Sequence, residues 1–475
     1  MKGKQLLALL LAAVMMLGIL AGCGGSGNET PAPASTPDSS SEGGEATNDI
    51  SGKSIILISS ARSYDGMDDA YQAACKQFYD ETGCEVTTQF NGNFTELIQT
   101  FQAAKISGAT YDMSSLGSGN LHQAVAKSGM VMDITPLAQQ LKGRIVEGGI
   151  EQHTIDGHTF GIPFSGVSTM GFFVNRTMLD ELGLDLQNGY TYDELKAVAD
   201  AVKAAKGFTA VVHCGADWWW WPSWFFTTFA QETHNDSINQ IEEWLKGNRS
   251  MEQEDAINAF NDILKFFQDG IMDADSLQYD GTSVAALFAQ QKCLGFFASA
   301  TNIKNVGDVD FDVDYLTYPV MVEGAIAQSS GGADEGINIL TLGDPANVAA
   351  SAKFIEFMTR PEVNGPIMQL SGNFGYAVKG VDGVESQISD EAFELYTDNT
   401  IMYLDWFWAA EHNDAVVKAI QGLVAQEIDG AEAAKRVQDN WQQTVDENDY
   451  SYEWWNSDSW SWDAVAMPYE VDLGL

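Results

Sequence analysis

Basic residues are scarce in this chain: lysine and arginine total 24 against 67 aspartates and glutamates, a formal net charge of -43. A surface this acidic repels DNA, RNA and anionic lipid, which argues against a nucleic-acid role and keeps a surface protein soluble. Cysteine is scarce too, five in 475 residues, with no Cys-x-x-Cys spacing. Beyond Cys23, the spacing allows Cys75 and Cys84 to be joined if the helix carrying one lies beside the strand carrying the other. Buried free thiols are the other reading for Cys75, Cys84, Cys214 and Cys293. The six histidines show no compact metal-ligand spacing. No strand is followed by a Gly-x-Gly-x-x-Gly or Walker sequence, and no Gly-x-Ser-x-Gly elbow occurs. Gly117-Ser118-Gly119 alone is a weak phosphate cradle. No cofactor, metal or nucleophile is therefore expected.

What is present begins with a targeting segment. Lys2 and Lys4 precede an apolar run, Leu6 to Leu20, too short to span a bilayer by itself. It ends in Leu20-Ala21-Gly22-Cys23, small residues before a cysteine, similar to the lipobox of bacterial lipoproteins. That likeness implies a signal peptide over 1–22 and acyl chains on Cys23; a plain secretory signal is the alternative. Two or more acyl chains can hold a domain on a membrane, each buried CH₂ contributing roughly 0.8 kcal/mol. Residues 24–49 are Gly, Ser, Pro, Thr, Glu and Asp with almost nothing apolar. They cannot offset their ordering entropy by burial and read as a disordered tether reaching about 25–30 Å.

From residue 50 onward, strands and helices alternate. Lys53–Ser59, Glu85–Phe90 and Asp112–Leu116 read as strands, and Tyr71–Thr82, Phe94–Ile106 and Leu121–Ser128 as helices. This is the signature of an α/β layer structure. At 475 residues and 45% hydrophobic, the chain is large enough for two or three domains. Asp156-Gly157 is a turn signal, Thr159–Pro163 a short extended run, and Phe164-Ser165-Gly166 a break before a second apolar run, Val167–Val174. Two strands meeting at a small flexible break suggest a hinge between lobes with a ligand between them. Later, Thr191 and Glu194 form a capping-box pattern before a helix over Tyr192–Lys203, and Phe208–His213 reads as a strand. Trp218 to Trp221, Pro222 and Trp224 follow, a density of indoles that no simple amphipathic element accounts for.

Several of these runs together resemble one family. Asp156 to Pro163 is similar to its Asp-Gly-x-x-aromatic-Gly-Ile-Pro, Phe172-Phe173-Val174-Asn175 to its aromatic-aromatic-x-Asn strand, and Thr191 to Leu195 to its Thr-Trp-x-Glu-Leu, with Tyr192 in place of tryptophan. Phe288–Ser299 and Ser351–Val363 are similar to later segments, although a usual glycine is Gln291 here. The chain resembles the extracellular solute-binding proteins of bacterial ABC importers, the sugar-binding group that includes maltose-binding protein. The resemblance implies a periplasmic-binding-protein-like α/β fold, two lobes joined by crossover strands, with a hinge and an interlobe ligand cleft. Lobe one would hold about 50–164 and 325–395, and lobe two about 165–324 and 396–475. It further implies a lipid-anchored monomer on the extracellular face of the cytoplasmic membrane, capturing a carbohydrate by cleft closure and delivering it to permease subunits.

A neutral sugar offers hydroxyls above and below apolar CH faces, so its pocket needs aromatic platforms with planar donors and acceptors. The platform candidates are Trp218, Trp219, Trp220, Trp221 and Trp224; four consecutive indoles cannot all point one way, so some must pack. Asp217, just before them, could accept sugar hydroxyls. Tyr64, Asp65, Asn91, Ser118, Ser165, Asn302, Gly332 and Asp334 lie at strand ends, where open sheets bind ligands. Trp406 or Trp408 could contact ligand or pack against lobe two. The aromatic, acidic end, Tyr450 to Tyr469, reads as a strap over lobe two or a second carbohydrate surface. Acidic residues with tryptophans also describe glycosidase sites, but nothing specifies a carboxylate pair. A peptide or other solute is the competing ligand.

Overall fold

A computed structural model describes residues 49–60, 67–91, 94–117, 120–146, 148–217, 220–326, 329–333, 335–370, 375–381, 400–402, 408, 410–447 and 452–453. Residues 1–48, which take in the stretch read as a signal segment, Cys23 and all but the last residue of the stretch read as a tether, lie outside them. So do Tyr64, Asp65, Ser118, Trp218, Trp219, Asp334, Trp406 and most of the aromatic C-terminal stretch.

The strands in chain order are β1 (Ser54–Ser60), β2 (Glu85–Asn91), β3 (Met113–Gly117), β4 (Thr154–Ile155), β5 (His158–Thr159), β6 (Ile162–Pro163), β7 (Gly166–Asn175), β8 (Val211–His213), β9 (Gly295–Ser299), β10 (Val313–Leu316), β11 (Ser329–Ala333), β12 (Glu335–Ile339), β13 (Gly375–Tyr376) and β14 (Thr400–Met402). They build two mixed sheets and a small hairpin. The first sheet runs β2-β1-β3-β12-β6, and the second β14-β11-β7-β9-β8, with β10 and β13 also paired to β7. The hairpin β4-β5 turns at Asp156-Gly157, with φ of 48° and 80°. Two consecutive positive φ values give the type I′ geometry that matches strand twist, which Asp-Gly adopts readily.

Alternating side chains bury both faces of each sheet. In the first sheet Ile55, Leu57, Met113 and Ile337 join one apolar cluster, while Ile58 and Leu116 join another. In the second, Phe172 stacks on Phe297 at 4.6 Å and Phe173 on Phe296 at 4.9 Å, on opposite faces of the β7–β9 pair. Such sheets, covered on both faces by helices, favour β-branched and aromatic residues throughout rather than an apolar–polar alternation. β7 can lie so close to its partners because two positions lack a side chain. A Cβ on Gly171 would sit 2.7 Å from the Tyr315 ring, and one on Gly295 would sit 2.6 Å from the Phe172 ring.

The helix over Tyr192–Lys206 carries the expected capping box, Thr191 accepting from the Glu194 N–H and Glu194 from the Thr191 N–H, and ends at left-handed Gly207. The tryptophan-rich stretch is resolved differently from a loop or platform: Trp221–Glu232 is a helix with Pro222 in its first turn. Every residue from Trp221 to Gln231 is buried. An all-round apolar helix has no polar face to give a periodic signal. Among the described residues no helix is long and apolar enough to cross a membrane.

Cys75, Cys84, Cys214 and Cys293 are all free and buried, so the bridge that the spacing allowed between Cys75 and Cys84 is not formed. Burial pushes the Cys75 thiol up to about 12 and the Cys84 thiol up to about 11. A thiol reacts as its thiolate, so these groups are inert near neutrality. In the native state at pH 8, Cys75, Cys84, Cys214 and Cys293 are expected to resist a thiol-specific reagent, followed by peptide mass mapping, and to react fully in guanidinium. Gly295→Ala should cost about 1–3 kcal/mol by overpacking the β7–β9 contact, read from urea unfolding.

Candidate functional site

In open α/β sheets ligands bind beyond the carboxyl ends of parallel strands. β1 and β2 are parallel and in register to Ser60 and Asn91, and β3, parallel to β1, ends at Gly117 opposite Glu335 of β12. In the second sheet β8 and β9 are parallel and end at His213 and Ser299, with Ser299 opposite Met170 of β7. The short passage from Pro163 in β6 to Met170 in β7 therefore touches the carboxyl end of both parallel sets. This is the candidate binding site: two rows of strand ends either side of the segment that joins the sheets.

Three passages between the sheets meet here. Phe164 and Ser165 lead from β6 into β7, and β11 ends in the second sheet one residue before β12 begins in the first. β13 pairs with β7 in the second sheet, and Val378 beyond it bridges to Ile145. The Phe164 N–H donates to the Glu335 carbonyl at 3.2 Å, and the Ala377 N–H to the Ser165 carbonyl at 2.9 Å. Asn364 Nδ2 donates to the Phe164 carbonyl at 2.7 Å. The Ser165 hydroxyl accepts from the Glu335 N–H at 3.1 Å, and its own proton faces the carbonyls of Glu335 and Gly166 at 3.3 and 3.4 Å. Ser165 was expected to contact ligand; it is buried and joins the passages instead.

The second sheet's edge is where aromatic and acidic groups coincide. Asp217 and Trp220 lie in the loop after β8, both half-buried. One Asp217 oxygen accepts from the Gly281 N–H at 2.8 Å, at the start of the helix Gly281–Ala289. Burial raises the Asp217 carboxyl above its usual range, with the neighbouring Asp280 adding to the rise, while the Gly281 N–H and the Trp220 side chain pull it down. Asn302 is buried on the other side of Gly281, its Oδ1 accepting from Asn305 at 3.0 Å. A Cβ on Gly281 would lie 2.8 Å from that oxygen, so Asp217 and Asn302 converge on a glycine.

Among the described candidates, Trp221, Trp224 and Trp408 lie in the core. Trp221 is 0% and Trp224 1% exposed. The Trp221 indole N–H donates to the Gly215 carbonyl at 2.9 Å, and the Trp224 N–H to His213 Nε2 at 3.3 Å. Trp408 is 1% exposed, set against Trp244 and Phe226, with its N–H on Asn413 at 3.4 Å. Large aromatic area with a satisfied N–H is a core role. Gly332 is buried in β11 opposite Ser168, and Asn91 closes β2 at the first sheet's carboxyl edge.

Two residues of this region escaped the sequence reading. Glu335, buried at 5% exposure, sits one position past the candidate Asp334 and accepts a hydrogen bond from the Ser115 hydroxyl of β3. An acidic residue at the head of a short strand built on Ile337 and Ile339 is the signal that could have found it. His213 is the other. Because Nε2 accepts from Trp224, the proton must reside on Nδ1, which donates to the Phe297 carbonyl at 3.2 Å. Among the described residues no group of three or more His, Cys, Asp or Glu is placed to hold a metal ion.

With two mixed sheets, several passages between them and facing strand ends, the architecture is that of a two-lobed periplasmic-binding-protein fold. The chain belongs to the bacterial extracellular solute-binding protein family, whose sequence profile matches residues 64–365. Members of this family are solute receptors rather than enzymes. Solved structures agree on the fold. A chitin oligosaccharide binding protein superposes with a TM-score of 0.70 at 17% identity, covering 82% of this chain and 98% of that one. RafE from Streptococcus pneumoniae, in its apo form, gives 0.67 at 19%, covering 83% and 98%. Maltose-bound MalE3 from T. maritima gives 0.63 at 15%, covering 82% and 99%. No curated protein sequence matches the chain.

Burial holds the His213 imidazole down from its ordinary 6.5 to about 3. The unfolded chain then binds a proton between these values that the folded chain refuses. Stability is fully present above pH 6.5 and is lost as pH falls from there toward 3, by up to about 1.4 kcal/mol per pH unit. His213→Gln, which keeps one donor and one acceptor but does not titrate, should show a shallower fall over this window in chemical unfolding measured pH by pH.

Proposed function

We propose that this protein captures a carbohydrate, a neutral oligosaccharide, between its two lobes and delivers it to the permease subunits of an ABC importer. The observation that carries this reading is the pairing of Trp220 with Asp217 just past the carboxyl end of β8 in the second sheet. An indole face offers CH contacts to a pyranose, and a carboxylate accepts its hydroxyls. Printed descriptions of fold neighbours support the class: one is a chitin oligosaccharide binding protein, and RafE has been solved in complex with raffinose. The formal charge of -43 disfavours anionic solutes.

Capture involves no bond making. Solute enters between the lobes, about 50–164 with 325–395 and about 165–324 with 396–475, and its preference for the closed form shifts the population. Acyl chains on Cys23, followed by the tether, would hold the receptor on the extracellular face of the cytoplasmic membrane.

The test is thermal melting of the full chain against a panel of mono- and oligosaccharides, with peptides as a second panel. A saturable rise in Tm with one glycan, recovered unchanged, is expected. A rise with peptides alone would replace the sugar reading. For the glycan that binds, Trp220→Ala and Asp217→Asn should each weaken affinity by about 10–100-fold in titration calorimetry, since each removes about 1.4–2.8 kcal/mol. Trp221→Ala should instead lower stability by about 3–5 kcal/mol.

A further inference from the structure

The residue at the crossing of the sheets is a serine, and its hydroxyl has two acceptors at nearly the same distance. One is the Glu335 carbonyl on the neighbouring passage at 3.3 Å, the other the Gly166 carbonyl on its own passage at 3.4 Å. The same oxygen receives the Glu335 N–H at 3.1 Å. Ser165 also takes the Ala377 N–H on its carbonyl, so all three passages meet on this residue. The far side of the joint is fixed as well: the Glu335 carboxylate accepts from Ser115, which ties the start of β12 to β3 of the first sheet.

We propose that the Ser165 hydroxyl is a two-position latch on the hinge: its proton adds a second tie to Glu335 in one state, and in the other it turns to Gly166 and leaves the passages joined more loosely through the Glu335 N–H. A hinge must exchange backbone partners as its φ and ψ change, and a buried group left unpaired during that exchange is costly. Rotation of a single hydroxyl moves the proton from one carbonyl to the other and leaves its donor paired throughout. The Glu335 N–H stays on the same oxygen in both positions. An alanine at this place would remove the side-chain oxygen that bridges the first two passages and takes the Glu335 N–H.

The latch bears on transport only if the lobes close on solute as proposed above, whereas its own test uses no solute. Spin labels are placed at Tyr79→Cys and Lys418→Cys, 53% and 74% exposed on the helices Met67–Thr82 and Ala410–Val424. Cys23→Ser removes the remaining reactive candidate, and the four buried thiols stay unlabelled. Double electron–electron resonance on the full-length, solute-free chain then reads the distribution of distances between labels. Ser165→Ala should broaden that distribution and move its mean, and Ser165→Thr, which keeps the hydroxyl, should retain the parental profile. A folded Ser165→Ala variant with the parental distribution overturns the latch. If Ser165→Ala does not fold, Ser115→Ala is measured in its place. It removes the Ser115 donor from the Glu335 carboxylate, should give a smaller broadening, and overturns the latch if it gives none.

Discussion

Everything in this molecule hangs on one strand shared between two neighbourhoods. The first half of β7 is hydrogen-bonded to β11 and β13, its second half to β9 and β10. Each neighbourhood is therefore positioned by the same ten-residue backbone. Backbone pairing is insensitive to side-chain identity, but close approach is not. Gly171 and Gly295 are required where aromatic rings of neighbouring strands lie against the ladder. The second half of β7 packs in the aromatic core of the second sheet, and the half beside Ser165 is where the chain passes from the first sheet.

Stability and recognition are divided among chemically similar residues. The tryptophans after β8 look alike in sequence, yet Trp221 and Trp224 are pinned in the core through Gly215 and His213, while Trp220 remains half-buried beside Asp217. His213 can take its place in that core only as a neutral ring, because its Nε2 lone pair receives an indole N–H. A proton there would set two donors against each other. The core thus fixes the loop that carries the proposed contacts, so the proposed recognition groups are few and sit on a larger apolar scaffold.

Much of the fold was legible because periodicity and end signals agreed. Glu85–Phe90 became β2 with one residue added, Phe94–Ile106 became the helix Phe94–Ser107, and the Thr191–Glu194 box formed as read. The Asp156-Gly157 turn was legible from its dipeptide alone. The helix Trp221–Glu232 was not, since a segment buried on every side lacks the polar face that marks a helix. The site was less legible for a related reason. Position at a strand end can be read from pattern, but whether a side chain points outward or into the core is decided by tertiary contacts. Ser165 shows the limit: its place at a break was readable, but its partners are 170 residues away in sequence. Tyr64, Asp65, Ser118, Asp334 and Trp406 fall outside the described residues and stay as candidates from sequence.

In the proposed function, solute is held between the two sets of strand ends, at the passages joining the sheets. A crystal structure of the full chain with a saturating oligosaccharide tests it most directly. A sugar ring on the Trp220 face is expected, with hydroxyls within hydrogen-bonding distance of Asp217 and contacts from both lobes. Density for the glycan elsewhere would contradict it, for instance in the surface groove of about 440 Å³ lined by Asp414, Lys418, Arg436 and Asn440.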